Sequence, residues 1–261
     1  MITAPGAAAG RGPDFVQSLE RGLAVIRAFD ADSPSLTLSD VARATGLTRA
    51  AARRFLHTLV ELGYVRTDGR LFSLRPRVLE LGYSYLSSLS LPELALPHME
   101  RLVEQVHESC SLAVLDGEEV VYVARVPTKR IMSVAISVGT RFPAYATSMG
   151  RVLLAHADPG WLEDYLSRVR MQQLTRRTVT DPAKLRTVLA RIRSQGFSLV
   201  DQELEEGLRS MAVPVRNSGA VVAAMNVSAH ISRGSAEVIR RELLPPLFDA
   251  ARRVTEDAEQ L

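Results

Sequence analysis

The segment Thr37–Gly63 reads TLSDVARATGLTRAAARRFLHTLVELG, and its spacing predicts two short helices separated by a tight turn. Thr37, followed by Asp40 three residues later, places a capping hydroxyl and an acidic side chain at a helix start. Gly46 suits the left-handed conformation that often ends a helix. Thr48 can then cap the second helix, so the segment predicts a helix-turn-helix.

The second helix has two chemically different faces. Its apolar stripe consists of Ala52, Phe55, Leu56, Leu59 and Leu62. Its other face begins at Thr48 and carries Arg49, Ala50, Arg53, Arg54 and His57. A recognition helix needs this division, because one face must pack on the preceding helix while the other enters the major groove. Arginine can bind guanine or phosphate, and a small residue such as Ala50 can approach a thymine methyl group.

Residues 64–74, YVRTDGRLFSL, predict two short strands around the turn Asp68–Gly69. This hairpin follows the second helix directly and would form the wing of a winged helix-turn-helix. Arg66 and Arg70 lie on it and are well placed to contact a flanking phosphate. An ordinary helix pair with a solvated arginine face is the alternative, and the adjoining hairpin favours DNA binding over it.

The distribution of charge supports this assignment. Residues 1–90 contain eleven Arg and eight acidic residues, whereas residues 91–261 contain 21 basic and 21 acidic residues. The whole formal excess of +3 therefore lies in the part predicted to bind DNA. Because this excess is small, one copy should bind weakly, and dimerisation is expected to supply affinity.

Several function classes are excluded or disfavoured by composition. Cys110 is the only cysteine, which excludes an internal disulfide and a thiolate zinc cluster and indicates a small buried apolar residue. No apolar run is long enough to span a membrane and no signal peptide is evident, so a cytoplasmic location is expected. The histidines lack metal-ligand spacing, although a site assembled from distant positions remains open; they include His98, His107, His156 and His230. We expect neither a metal nor a cofactor.

The chain is expected to divide into four parts: a disordered tail at 1–14, the winged helix-turn-helix at 15–75, a linker helix at 76–90 and a second domain at 91–261. A helix near 18–30 would complete the first core. In the second domain, helices are expected at 97–108, 148–155, 182–194 and 235–258, the last kinked or broken at Pro245–Pro246. Strands are expected at 111–115, 120–126, 132–138, 197–202, 211–216 and 221–228. This grouping predicts an α+β fold with an antiparallel six-stranded sheet.

The chain resembles the IclR family of bacterial transcriptional regulators over nearly its whole length after residue 14. In the first domain the resemblance depends on SLERGLAVI at 18–26 and on the helix-turn-helix. In the second it depends on GTRFPAYATSMGRVLLA at 139–155, GLRSMAVPV at 207–215 and AAMNVS at 223–228. The wording around 143–155 is most similar to the PcaR, PcaU and PobR group, which controls protocatechuate, 4-hydroxybenzoate and β-ketoadipate catabolism.

The resemblance implies a winged helix-turn-helix joined to a GAF-like effector domain, with homodimers, often paired into tetramers, on palindromic operator DNA. A small organic acid would bind over the concave face of the sheet. Apolar walls of its pocket would be Ile131, Val134 and Phe142. Backbone groups at a helix start would come from Ser148, Met149 and Gly150, which agrees with the affinity of helix N-termini for carboxylates. The opposite side would be lined by Asp201, Ser210, Asn226 and Ser228.

Some of these assignments have ordinary structural alternatives. Val134 and Ser210 are explained equally well by sheet packing, and an anionic ligand would prefer a cation to Asp201. Asn226 and Ser228 alternate on a strand, so both should face the same way. The candidates for a cation are Arg130, Arg141 and Arg209, each of which also fits a solvated or structural role.

Two rival functions are weighed against a regulator. An enzyme domain fused to a DNA-binding domain would use the acidic run that contains Glu203, Glu205 and Glu206, although such runs usually form solvated loops. Ser148 lacks the G-x-S-x-G context of a nucleophile elbow, and no G-x-x-x-x-G-K motif occurs. A protein-interaction module is the other rival, and no sequence feature favours it.

Overall fold

The computed structural model describes residues 12, 14–30, 32–81, 90–128 and 136–259, with Ser90 described by its backbone alone. The chain divides into two compact units, residues 1–85 and 86–261. This division falls within the segment 76–90 that the sequence assigns to a linker helix. Of that segment, Pro76–Val78 form a 3-10 turn and 79–81 are helical, while 82–89 lie outside the described residues. The finer domain limits at 75 and 91 stay a prediction.

The first unit combines helices with a small sheet. Its elements are α1 (Gln17–Arg27), β1 (Ser35–Thr37), α2 (Leu38–Thr45), α3 (Arg49–Glu61), β2 (Val65–Thr67) and β3 (Leu71–Leu74). The strands form an antiparallel sheet in the order β1-β3-β2. Strand β1 is absent from the sequence prediction, since three residues are too few to show alternation. The core buries Val25 of α1, Val41 of α2 and Leu56 of α3.

The capping residues act as the sequence predicts. Thr37 and Asp40 form a reciprocal capping box, in which the Thr37 hydroxyl accepts from the Asp40 amide and the Asp40 carboxylate accepts from the Thr37 amide. Gly46 adopts a left-handed φ of 66° at the end of α2. The Thr48 hydroxyl accepts a hydrogen bond from the Ala51 amide at 3.2 Å. These interactions fix where α2 ends and α3 begins, and with them the turn between the two helices.

The second unit is built on six antiparallel strands in the order β6-β5-β4-β9-β8-β7. The strands are β4 (Ser109–Asp116), β5 (Glu119–Val126), β6 (Arg141–Pro143), β7 (Ser198–Asp201), β8 (Leu208–Asn217) and β9 (Ala220–His230). The helices are α4 (Ser90–Val106), α5 (Ser148–His156), α6 (Pro159–Arg168), α7 (Pro182–Gln195) and α8 (Ala236–Ala258). The predicted α+β class and antiparallel six-stranded sheet are confirmed.

Helices cover both faces of this sheet. One face carries Leu112, Met211 and Met225 and packs against α4 and α8. The other face carries Ala113 and Ala224 and packs against α5, with α6 and α7 completing that core. We call the second one the pocket face. Because strand side chains alternate, each strand residue is assigned to one face by its register.

Four elements of the second unit differ from the sequence prediction. Helix α4 begins at Ser90 rather than 97, with Pro97 inside it. Helix α6 is not predicted from the sequence. The third strand along the second unit is β6. The predicted strand at 132–138 lies largely outside the described residues, and residues 136–138, which are described, are not part of a strand. Helix α8 continues through Pro245 and Pro246, because its buried face, from Ile239 to Val254, is held against the sheet.

Candidate DNA-binding surface and effector pocket

All the residues predicted to contact DNA are exposed in the first unit: Thr48, Arg49, Ala50, Arg53, Arg54, His57, Arg66 and Arg70. Within the described part of the chain, the guanidinium groups of Arg49, Arg53 and Arg54 make no hydrogen bond or ion pair. Their charge is therefore available to an external anion. Exposure and charge together fit a surface that contacts a phosphate backbone and base edges.

The end of α3 is as well defined as its start. The Gly63 amide donates to the Val60 carbonyl, and the Tyr64 amide donates to the Leu59 carbonyl at 2.9 Å. With Gly63 at φ 81°, this is a Schellman motif. The chain consequently turns directly into β2. The His57 ring packs edge-on against Phe72 of β3, with ring centroids 6.2 Å apart, which links the exposed side of α3 to the wing.

The wing turn is held by Asp68. Its carboxylate oxygen Oδ1 accepts hydrogen bonds from the amides of Leu71, at 2.7 Å, and Arg70, at 2.9 Å. These backbone hydrogen bonds, that of Leu71 first, hold the pKa of Asp68 below its usual range. The turn stays formed while the carboxylate is charged, and it leaves the side chains of Arg66 and Arg70 in solvent.

In the second unit, four of the predicted effector residues meet in one buried cluster. The Ser148 hydroxyl lies 2.7 Å from the Ser210 hydroxyl, joining the start of α5 to β8. The Asn226 amide donates to the hydroxyls of Ser210 at 3.0 Å and Ser228 at 3.1 Å. The Ser228 and Ser210 hydroxyls are 3.1 Å apart. We call these four side chains the hydroxyl–amide cluster.

Strand register explains why this cluster forms. Ser210 lies opposite Ser228, and Asn226 is two residues before Ser228, so all three side chains project from the pocket face. The side-chain oxygen Oδ1 of Asn226 also accepts a hydrogen bond from the backbone amide of Ser111 at 3.0 Å. That contact fixes the orientation of the Asn226 side chain, with its amide group directed at the two serines.

The cluster forms the polar side of a small cavity of about 20 Å³. Its other lining residues are largely apolar, namely Tyr122, Ile136, Ala146, Thr147, Val200, Leu204 and Leu208. A volume of this size holds about one water molecule. Tyr122 is absent from the sequence-based assignment, although its position two residues after Val120 on a predicted strand could have indicated it. Burial raises the pKa of Tyr122 to about 12, so its hydroxyl stays neutral up to a more alkaline pH than that of an exposed tyrosine.

At the helix start, Ser148 lines the cavity, and the role of the backbone groups of Met149 and Gly150 stays a prediction. The Met149 side chain is fully buried in the core beneath the pocket face and does not line the cavity. The Gly150 amide donates to the Thr147 hydroxyl at 3.0 Å, so it is already engaged. A Cβ on Gly150 would lie 2.2 Å from the Ala144 carbonyl oxygen, which explains why glycine is needed there. Phe142 lies beside the cavity, and the centroid of its ring is 5.6 Å from that of the Tyr122 ring.

Asp201 does not join the pocket, which corrects its sequence-based placement. Val200 lines the cavity, and the side chain of the next strand residue projects from the opposite face. There the Asp201 carboxylate accepts hydrogen bonds from Arg209 and Arg177, both at 2.9 Å. Arg209 is thereby a structural arginine. Arg141 is exposed and pairs with Glu119 and Asp116, so it does not reach the cavity either.

The acidic run also differs from expectation at Glu203. This side chain is buried and receives a bidentate hydrogen bond from Arg151 of α5, at 2.7 and 2.6 Å. Arg151 also donates to the Tyr145 carbonyl, and Glu203 also accepts from the Val179 amide. The pair therefore connects the start of α5 to the loop that carries Leu204 into the cavity. Because 52 residues separate Arg151 from Glu203 in the sequence, no local pattern indicates that they pair.

Three further candidates, Ile131, Val134 and Arg130, lie outside the described residues. The buried Cys110 packs in the core against α4 and α8, and burial raises the pKa of its thiol. Among the residues that the structure describes, no group of three or more His, Cys, Asp or Glu side chains is arranged to hold a metal ion. No described helix combines the length and apolar character required to cross a bilayer.

A helix-turn-helix with an exposed basic helix is suited to bind DNA, and a cavity with polar and apolar walls is suited to bind a small molecule. Together they are the two parts that a ligand-responsive transcription factor needs. The chain belongs to the IclR family. Residues 18–69 match the IclR helix-turn-helix domain, and residues 83–256 match the C-terminal domain of IclR bacterial transcriptional regulators. The family consists of regulators, so the alternative of an enzyme domain fused to a DNA-binding domain is set aside.

Curated relatives and solved structures extend over almost the whole chain. The Pca regulon regulatory protein of Pseudomonas putida is 48% identical over 242 residues, which are 92% of this chain and 83% of that protein. The p-hydroxybenzoate hydroxylase transcriptional activator of Acinetobacter baylyi is 37% identical, over 92% and 91% of the two chains. A crystal structure of an IclR homologue from Microbacterium hydrocarbonoxydans, complexed with 4-hydroxybenzoate, is 31% identical, with a TM-score of 0.84 and coverage of 94% and 100%. A transcriptional regulator from Rhodococcus sp. RHA1 is 56% identical, with a TM-score of 0.86 over 94% and 99% of the chains.

Proposed function

We propose that this protein regulates transcription of aromatic-acid catabolism genes and that an aromatic carboxylic acid of the 4-hydroxybenzoate or protocatechuate type is its effector. The names of the Pseudomonas and Acinetobacter relatives support this pathway, as does the 4-hydroxybenzoate held by the Microbacterium homologue. A regulator with this function acts in the cytoplasm, where its operators are.

The observation that carries the proposal is the buried hydroxyl–amide cluster beside an apolar wall. Ser148, Ser210 and Ser228 offer hydroxyls that can donate or accept, and Asn226 offers an amide. The side chains of Val200 and Leu208 close the same cavity with apolar surface. A planar ring that carries carboxylate and hydroxyl substituents matches this pairing of polar and apolar walls.

The size of the cavity implies a conformational response. Since about 20 Å³ accommodates only one water, an aromatic acid must part the cluster to enter. The hydrogen bond between Ser148 and Ser210 joins α5 to the sheet, so its replacement by ligand contacts would shift α5. The ligand then favours the conformation to which it binds better, and the coupling to a second site is typically about 1 to 3 kcal/mol.

The DNA side of the proposal uses α3 and the wing. We propose that α3 enters the major groove through Arg49, Arg53 and Arg54, and that the wing places Arg66 and Arg70 beside the phosphate backbone. A homodimer, or a pair of dimers, would present two copies of α3 to a palindromic operator. The effector would act by changing how subunits pack and thus the spacing of the two recognition helices.

Asn226→Leu tests the proposal, because leucine has a similar volume but cannot hydrogen-bond to the serines. We expect 4-hydroxybenzoate and protocatechuate to lose their effect on operator affinity in this variant, measured by fluorescence anisotropy with an operator selected from random DNA. Calorimetry should show the corresponding loss of ligand binding. Thermal unfolding verifies that the variant is folded.

Asn217→Leu is the matched control, since Asn217 is the exposed last residue of β8, next to the turn that leads to β9. It should keep the response to the acid. Normal effector affinity in Asn226→Leu would remove Asn226 from the pocket. If the unmodified protein binds neither acid, the proposed effector class is wrong.

A further inference from the structure

Arg125 of β5 lies in the same cross-strand row as Asn226 of the hydroxyl–amide cluster. It is paired in register with Ser111 of β4, and Ser111 is paired with Asn226 of β9. Neighbouring strands are about 4.8 Å apart, so roughly 10 Å separates the Cα atoms of Arg125 and Asn226. An aromatic acid lying across β4 on the pocket face would therefore span the two positions.

A β-bulge places Arg125 on the pocket face. Residues 122 and 125 are three apart, so in a regular strand their side chains would project from opposite faces. The register of β4 and β5 shifts between Leu112 and Ala113, which adds one residue on β5 between these two positions. Tyr122, on the far side of the bulge, lines the cavity. Ser111, opposite Arg125, lies between two residues that pack on the other face, Cys110 and Leu112. Arg125 and Tyr122 therefore share the pocket face.

Arg125 differs from the other arginines considered for the pocket. In the described part of the chain, its guanidinium group makes no hydrogen bond and no ion pair, although the residue is partly buried. Arg141 and Arg209, by contrast, are each paired with carboxylates. Burial lowers the pKa of Arg125, and Tyr122 lies near enough to oppose that shift when its hydroxyl is ionised. A partly buried cation without an anion is costly, so an incoming carboxylate would be strongly favoured there.

We infer that Arg125 binds the carboxylate of the effector, with the aromatic ring over Tyr122 and the hydroxyl–amide cluster at the far end of the ligand. The inference depends on the proposed function and adds to it the cation that selects acids. The planar guanidinium group can donate two parallel hydrogen bonds to a carboxylate, and the cluster can hydrogen-bond to a 4-hydroxyl substituent. This division would make the site selective for acids over their neutral amides.

The test compares a carboxylate with its uncharged counterpart. Calorimetry would measure the affinities of 4-hydroxybenzoate and 4-hydroxybenzamide for the unmodified protein, Arg125→Gln and Arg125→Lys. We expect Arg125→Gln to weaken 4-hydroxybenzoate binding at least about tenfold and to change 4-hydroxybenzamide binding little. Arg125→Lys keeps the charge but loses the planar fork, so its preference for the acid should be intermediate. Arg141→Gln, a variant of an exposed arginine on the adjacent strand, should bind both ligands normally.

The outcomes separate this inference from the proposed function. If the unmodified protein binds neither compound nor protocatechuate, the proposed effector class is wrong and this inference with it. If the unmodified protein binds the acid and Arg125→Gln binds it equally well, only the role of Arg125 is wrong. Should Arg125→Gln fail to fold, as judged by circular dichroism, the ratio of acid to amide affinity in Arg125→Lys decides. An unchanged ratio would overturn the inference.

Discussion

Among the residues that the structure describes, the arginines of α3 and the wing lie in solvent and make no ion pair, whereas the most buried arginines of the second unit each meet a carboxylate. Arg151 is 2% exposed and pairs with Glu203, and Arg209 is 7% exposed and pairs with Asp201. A cation buried in a protein interior needs a counter-charge, while an exposed one is solvated by water. The same residue type is thus structural in one unit and available for binding in the other.

This contrast gives a physical criterion for function. Basic residues make up a similar fraction of residues 1–90 and of residues 91–261, but only residues 1–90 have an excess of positive charge. Among the described residues of the second unit, Arg125 is partly buried and makes no ion pair, unlike Arg151 and Arg209. Pairing, rather than the number of arginines, therefore distinguishes the candidate binding residues of each unit.

The largest expected effect is on stability. Glu203→Ala would leave Arg151 buried without its counter-charge, and such a change typically costs about 3 to 5 kcal/mol of unfolding free energy. Urea denaturation of the whole chain, followed by circular dichroism, measures it. Glu163→Ala is the control, because its partner Arg186 is exposed and the pair is solvated, so little change is expected. Equal stabilities of the two variants would contradict the structural role assigned to buried arginine pairs.

A smaller effect is expected at the DNA-binding surface. Arg53→Ala should weaken operator binding by at least about 1 kcal/mol at moderate salt, because Arg53 is exposed on α3 and makes no ion pair with any described residue. Its unfolding free energy should hardly change, which is the opposite of the result for Glu203→Ala. Arg21→Ala removes the same charge from an exposed position on α1 and serves as the control. Anisotropy titrations at several salt concentrations compare them, and unchanged binding by Arg53→Ala would count against α3 as the recognition helix.

The smallest effect concerns pH. Burial raises the pKa of Tyr122 to about 12, above the value near 10 of an unfolded tyrosine. The stability that this neutral side chain contributes is complete below pH 10 and is lost as the pH rises through 12. Tyr122→Phe cannot ionise, so it should lose less stability, by about 1 kcal/mol or less, between pH 9 and pH 10.5. Burial also raises the pKa values of Tyr145 and Tyr165, so the variant should still lose some unfolding free energy at alkaline pH.

Urea denaturation at the two pH values provides the measurement for Tyr122→Phe. If the variant and the unmodified protein lose stability in parallel, Tyr122 is more accessible than its buried position indicates. Such a result would also weaken the case for an apolar pocket wall and, with it, the contrast between the two units.

Much of the fold was predictable because its signals are local. The capping box of Thr37 and Asp40, the left-handed Gly46 and the hairpin after α3 each depend on residues within a few positions of one another. The alternation of Asn226 and Ser228 likewise predicts that both project from one face of the sheet. Helix α4 was misjudged because Pro97, a local signal for a helix boundary, is tolerated inside a helix packed against α8.

By itself, the sequence determined the exposed basic face of α3, five of the six strands of the sheet and the common orientation of Asn226 and Ser228. Only the tertiary structure decided which charges are neutralised and which face of the sheet each strand residue occupies. Glu203 pairs with Arg151 across 52 residues, and a single bulge brings Arg125 onto the face of Tyr122. The physical reason is that helical and strand periodicities are properties of neighbouring residues, whereas ion pairing and register shifts depend on segments that meet only when the chain has folded.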